Sequence, residues 1–167
     1  LATGRSKESQ QDETDIAELY VRMIIRPSEM QHSFLRLIFT GVLERFPTLK
    51  FVSAEGDIAW VPHILERADK YYCRFKEGYG VQLSLKPSEY FARNVLVGAS
   101  CMPRREAEMR KEIGVENIAW GSDYPHDEGT FPHSEEVVDR IFDGYPEDTK
   151  SKIVYENAAQ LYRFPSS

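Results

Sequence analysis

The 167-residue sequence is poor in the groups that define several functional classes. It has two cysteines, Cys73 and Cys101, without CxxC spacing, which excludes a disulfide framework and a thiolate zinc knuckle and predicts free thiols in a reducing compartment, the cytoplasm. It has no apolar run near the ~20 residues of a membrane span, and its polar N-terminal stretch lacks the pattern of a signal peptide. No GxGxxG or P-loop follows any apolar run, which argues against a small nucleotide-binding domain. Basic clusters are also missing. With 21 Lys and Arg against 27 Asp and Glu the net charge is −6, so nucleic acid is excluded as the main partner. The longest basic run, Arg104-Arg105, with Arg110-Lys111 beyond it, fits the solvated face of a helix. The sequence begins at Leu1 rather than Met, so a processed chain or a piece of a longer one is expected.

Enough apolar residues are present, 41% with 12% aromatic, to bury a core. Residues 1–15 are almost wholly polar and predict a loop. An apolar-periodic stretch, Ile16 to Ile25, predicts a helix stopped by Pro27, and a stronger one spans 29–46, with Phe34, Leu35, Ile38, Phe39, Val42, Leu43 and Phe46 at helical spacing. Leu49–Ala54 then predicts a buried strand. Helix 58–78, a turn over Ser88–Phe91, a strand over Asn94–Ala99 and a helix over Arg104–Ile113 follow. A third strand, Val115–Asp123, runs into a loop over 121–133. Ser134 opens another helix, and short helices over Pro146–Val154 and Glu156–Tyr162 close the chain. Strands alternating with helices predict an α/β fold with a parallel sheet and right-handed crossovers, and no linker divides 16–167 into two domains.

In such folds chemistry gathers where strands end. The first strand ends at Glu55-Gly56-Asp57, the second at Ser100-Cys101, the third at Ser122-Asp123-Tyr124-Pro125-His126. Asp123 can ligate a divalent metal and take a proton; capping a turn is its plain structural alternative. His126 can bind substrate or shuttle a proton, and its alternative is a surface loop position. Glu55 follows a buried strand, so it needs a partner: a metal, an arginine or a helix N-terminus. Trp60 can line a pocket or fill the core. His32, His63 and His133 fit structural or exposed positions. Nothing near Cys101 in sequence would lower its pKa.

Three blocks carry a resemblance: Ile38-Phe39-Thr40-Gly41-Val42-Leu43-Glu44-Arg45-Phe46-Pro47-Thr48-Leu49-Lys50, Trp120-Gly121-Ser122-Asp123-Tyr124-Pro125-His126, and Glu156-Asn157-Ala158-Ala159-Gln160-Leu161-Tyr162. In this order and spacing the chain resembles the amidohydrolase-related family, the branch that includes aminocarboxymuconate-semialdehyde decarboxylase and related aromatic-acid decarboxylases. The resemblance implies the C-terminal portion of a (β/α)8 TIM barrel, a fold of about 250 residues, with strands six to eight and their helices present. It implies a divalent metal, zinc with manganese as the alternative, held by Asp123 as the strand-eight ligand. Glu55, His126 and Trp60 would line the pocket of a small-molecule substrate. The family's His-x-His of strand one and His of strand five have no counterpart here, and the latter would lie just upstream of Leu1. Glu55 stands where many members carry a strand-six His. The expected chemistry is nonoxidative decarboxylation or hydrolysis of a small carboxylated or cyclic substrate by a cytoplasmic homo-oligomer. That activity is expected of a full-length enzyme; for the chain by itself the residues favour the rival, a catalytically inactive half-barrel that binds a partner or itself, because Asp123 and Glu55 are too few ligands for tight zinc.

Overall fold

The computed structural model describes residues 7–164, with side chains from Asp15 onward. Three parallel strands, β1 (Phe51–Ser53), β2 (Val95–Ser100) and β3 (Ile118–Gly121), stand side by side in sequence order. β1 pairs with β2 in the register Ser53 to Val97, and β2 with β3 in the register Val97 to Ile118. On β2 the alternate residues Val95, Val97 and Ala99 enter the hydrophobic core beneath the helices. The other set, Leu96, Gly98 and Ser100, therefore points to the opposite face. The sheet is open, part of a barrel. Only β2 is buried along most of its length. The two flanking strands are partly exposed, a departure from the fully covered strands expected of their apolar sequences.

Helices α1 (Lys7–Phe39), α2 (Val42–Arg45), α3 (Val61–Tyr79), α4 (Pro87–Asn94), α5 (Arg104–Glu108), α6 (Arg110–Ile113), α7 (Ser134–Ile141), α8 (Glu147–Ser151) and α9 (Asn157–Tyr162) supply the cover, with one π-helical turn, Lys152–Glu156, between the last two. The longest departure from expectation is α1. Residues 7–15 continue this helix rather than forming a loop; Lys, Glu and Gln dominate there and all favour helix. The loop expected over 1–6 lies outside the described residues. Pro27 sits inside α1 instead of ending it. A proline removes one backbone hydrogen bond, and beside it the Ser28 hydroxyl donates to the Ile25 carbonyl at 2.6 Å. The break comes instead at Gly41, whose φ of 72° suits glycine and separates α2. Residues Val115–Asn117 form one 3₁₀ turn rather than strand. Gly114 lies at φ 102°, and the Asn117 N–H donates back to its carbonyl.

Three buried asparagines hold the starts of the strands. The Asn94 amide donates to the carbonyls of Pro47 and Leu49 ahead of β1. Asn117 donates to Ala92 and Val95 at the start of β2, and Asn157 to Val115 and Ile118 at the start of β3. Each amide satisfies carbonyls that the short strands leave without ladder partners.

Candidate active site

Each strand leaves the sheet at its carboxyl end through a non-glycine residue in the left-handed region: Glu55 at φ 56° after β1, Cys101 at 52° after β2 and Asp123 at 59° after β3, with Asp57 at 50° close by. Such conformations cost of order 1 kcal/mol or more each and persist where surrounding contacts hold them. They turn the chain sharply, and the residues around these turns converge on one cavity of about 410 Å³. Its polar lining is Glu55 and Asp57, Ser100, then Asp123, His126 and Glu128. Leu19, Met23, Arg26 and Pro27 of α1 form the remaining wall.

The β3 loop is the most tightly built part. Thr130 N–H donates to Ser122 O at 2.8 Å, and Gly129 N–H to His126 O at 3.0 Å. A β-carbon at Gly129 would lie 2.9 Å from the carbonyl oxygens of both His126 and Ser122, so only glycine fits. The loop holds the Asp123 side chain at 12% exposure, its Oδ1 3.1 Å from His126 Nδ1. Asp123, His126 and Glu128 each offer one ligand atom, and these atoms all lie within 4.8 Å of one another. Two carboxylates and an imidazole suit a divalent cation with a taste for oxygen and nitrogen, such as manganese or zinc.

Glu55 finds its partner in Arg26, with Nη1 3.1 Å from Oε2 and both side chains half exposed. Of the three partners open to Glu55 from sequence, the structure supplies the arginine. Trp60 lies elsewhere: it is buried and outside the cavity lining, and its indole N–H donates to the carbonyls of Gly56 and Asp57 at 2.9 and 3.0 Å. It braces the loop behind Glu55. The Cys101 thiol donates to Glu128 O at 3.3 Å. Burial, then the neighbouring Asp123 and Glu128 carboxylates, push its pKa up, so the thiol stays protonated and is a poor nucleophile.

Three groups escaped the sequence reading. Arg26 comes from a helix 29 residues before Glu55, and the only hint of it was that a carboxylate after a buried strand needs a partner. Glu128 lies two residues beyond His126 and was hidden among other acidic loop residues. Glu106 of α5 carries no local signal that sets it apart from the other charged residues of its helix. It is buried, and its Oε1 accepts the N–H groups of Ile58 and Ala59, both at 3.2 Å, holding the far side of the Glu55–Asp57 loop. Among the described residues its Oε2 has no partner, and burial pushes its pKa above the usual carboxylate value.

A family model described as amidohydrolase matches residues 17–164. The 5-carboxyvanillate decarboxylase of Sphingomonas paucimobilis is 30% identical, with a TM-score of 0.66 over 78% of this chain and 38% of that one. An amidohydrolase of Mycobacterium avium subsp. paratuberculosis is 26% identical, with a TM-score of 0.70 over 84% and 35%. A 5-carboxyvanillate decarboxylase of Novosphingobium aromaticivorans, solved with manganese and 4-hydroxy-3-methoxy-5-nitrobenzoic acid, has the same fold at 21% identity, with a TM-score of 0.69 over 83% and 40%. No curated protein sequence matches. The chain spans less than half the length of each of these structures. It belongs to the amidohydrolase family, and its open three-stranded sheet is part of that family's barrel.

Proposed function

We propose that the chain supplies strands six to eight of a metal-dependent, nonoxidative decarboxylase acting on a small aromatic carboxylate. The observation that carries this reading is the convergence of Asp123, His126 and Glu128 on one cavity at the carboxyl ends of the three strands. Membership of the amidohydrolase family and the likeness to aromatic-acid decarboxylases support it. Asp123, with His126 and Glu128, would hold a divalent cation. The oxygen-rich donor set and the manganese of a structural relative favour manganese over zinc. When bound, the cation supplies Lewis-acid polarisation of a substrate oxygen.

The remaining chemistry falls to the chain's own residues. Decarboxylation breaks the bond between ring carbon and carboxylate, releases CO₂ and leaves the electron pair on the ring carbon, which must then take a proton. The Asp123–His126 pair is placed to hold that proton and deliver it. Glu55 and Arg26 line the same cavity. The test is Mn²⁺ titration of the 167-residue chain by electron paramagnetic resonance, alongside CO₂ release from hydroxylated aromatic carboxylates. One saturable Mn²⁺ site and CO₂ release are expected, both lost in Asp123→Asn with an unchanged circular dichroism spectrum. Normal Mn²⁺ affinity in that variant would remove Asp123 from the site.

One observation favours a second reading. All three candidate ligands come from a single loop, and the chain spans 38% of the Sphingomonas enzyme, so it is read as a half-barrel that binds a partner or itself without turning over substrate. Weak Mn²⁺ binding with no CO₂ release supports that alternative.

A further inference from the structure

Among the described residues, Met30 is the first of α1 to pack against the core, and Phe34, Leu35 and Ile38 follow it. Met30 also sits on the loop after β1: a β-carbon at Gly56 would lie 2.9 Å from its Cγ. Residues 15–26 of the same helix are all exposed. Between the two stretches stands Pro27, which leaves the Met23 carbonyl without the N–H that a helix supplies four residues on. The exposed stretch nevertheless lies along the candidate metal site. Its Leu19, Met23 and Arg26 line the cavity that holds Asp123, His126 and Glu128. Arg26 ties it to the end of β1 through Glu55, at 3.1 Å between two half-exposed side chains.

The charges make this tie sensitive to what the cavity contains. Glu55, Asp57, Asp123 and Glu128 line it together with Arg26, so the guanidinium acts as a counter-ion to clustered carboxylates. A divalent cation held by Asp123, His126 and Glu128 brings two positive charges into the same cavity, repels the guanidinium and offsets the carboxylates that attract it. An ion pair between half-exposed side chains is weak enough to yield to such a competitor. We infer that residues 15–26 form a lid over the candidate metal site, hinged at Pro27 and latched by Arg26 and Glu55, and that a bound divalent cation releases the latch. The lid rests on the metal-site reading of Asp123, His126 and Glu128. The coupling is reciprocal: the cation loosens the latch, and the latch weakens the cation. The site then stays covered until a metal is loaded and opens to its organic ligand afterwards.

The test is hydrogen–deuterium exchange of the 167-residue chain, read by mass spectrometry with and without saturating Mn²⁺, beside a paramagnetic titration of the metal. In the wild type, Mn²⁺ is expected to speed exchange of the amides of residues 15–26 about fivefold or more and to leave residues 34–39 unchanged. Arg26→Gln and Glu55→Gln both unlatch the lid, so its amides exchange fast without Mn²⁺ and the metal adds little. Arg26→Gln also tightens Mn²⁺ about fivefold, because the repelled charge is gone. Arg26→Lys, which keeps that charge, keeps a Mn²⁺ response. A merely structural ion pair would speed exchange in the two Gln variants and leave the wild type indifferent to Mn²⁺. Unchanged or slower exchange of residues 15–26 in the Mn²⁺-bound wild type overturns the lid alone, as does unaltered Mn²⁺ affinity in Arg26→Gln. Failure of the wild type to bind Mn²⁺ overturns it together with the metal-site reading.

Discussion

Single residues carry opposite electrostatic burdens around this cavity. Glu106 holds the Ile58 and Ala59 N–H groups with one oxygen and leaves the other buried and, among the described residues, unpaired. Burial raises its pKa from the ordinary 4.5, so the folded chain binds this proton more tightly than the unfolded chain. Its contribution to stability is thus fully present below pH 4.5 and falls as pH rises through the folded value. Glu106→Gln keeps the acceptor oxygen and removes the charge. Thermal melts should show a higher Tm than wild type at pH 7, with the gap closing toward pH 4. Glu106→Ala leaves two N–H groups without their acceptor and should cost about 1–3 kcal/mol at pH 4 in urea unfolding. Gly129 is constrained by space rather than by φ. A methyl group there meets three carbonyl oxygens at 2.9, 2.9 and 3.0 Å. Gly129→Ala should push the Asp123–Glu128 loop open and weaken Mn²⁺ at least tenfold, read by the same paramagnetic titration, with the core unaffected.

At the scale of elements, β1 and β3 are only three and four residues long, and strands so short make few ladder bonds. The Asn94, Asn117 and Asn157 amides compensate by tying the entry of each strand to the helix or turn beside it. This gives a physical reason for the Asn157-Ala158 pair in the terminal helix: its amide reaches the Val115 and Ile118 carbonyls at 2.7 and 2.8 Å. Asn157→Ala leaves both carbonyls buried without that donor. A loss of about 1–3 kcal/mol is expected in urea unfolding, with little change in Mn²⁺ affinity if β3 keeps its register. The order of helices and strands was legible in the sequence because apolar spacing shows which faces are buried. Their ends were not. The strand expected over 115–117 became a turn because Gly114 and Asn117 close a backbone hydrogen bond. The helix expected to stop at Pro27 continued because the missing N–H is a local loss that the rest of a long helix tolerates.

Over the whole molecule, the most exposed apolar side chains include a run on α1, with Ile16 at 54% and Ile24 at 75% exposure. Among the described residues no helix is long and apolar enough to cross a membrane. An apolar surface of this kind should bind the dye ANS in the folded state. Ile16→Lys with Ile24→Lys should cut that fluorescence severalfold and leave Tm within a degree or two, since neither side chain enters the core. The sequence by itself determined the α/β class, the family and the position of Asp123 and His126 at the end of the third strand. The class and the position of these two residues are written in local spacing: apolar periodicity, a glycine or proline at an element's end, two polar residues three apart; the family rests on the resemblance carried by the three blocks at 38–50, 120–126 and 156–162. Tertiary structure alone decided the partner of Glu55, the burial of Glu106 and the withdrawal of Trp60 into the core. Those depend on which distant segments meet: Arg26 reaches Glu55 across 29 residues, and Glu106 reaches Ile58 across 48. A carboxylate's need for a partner is a property of its local sequence; the partner's identity follows from how the chain returns to it.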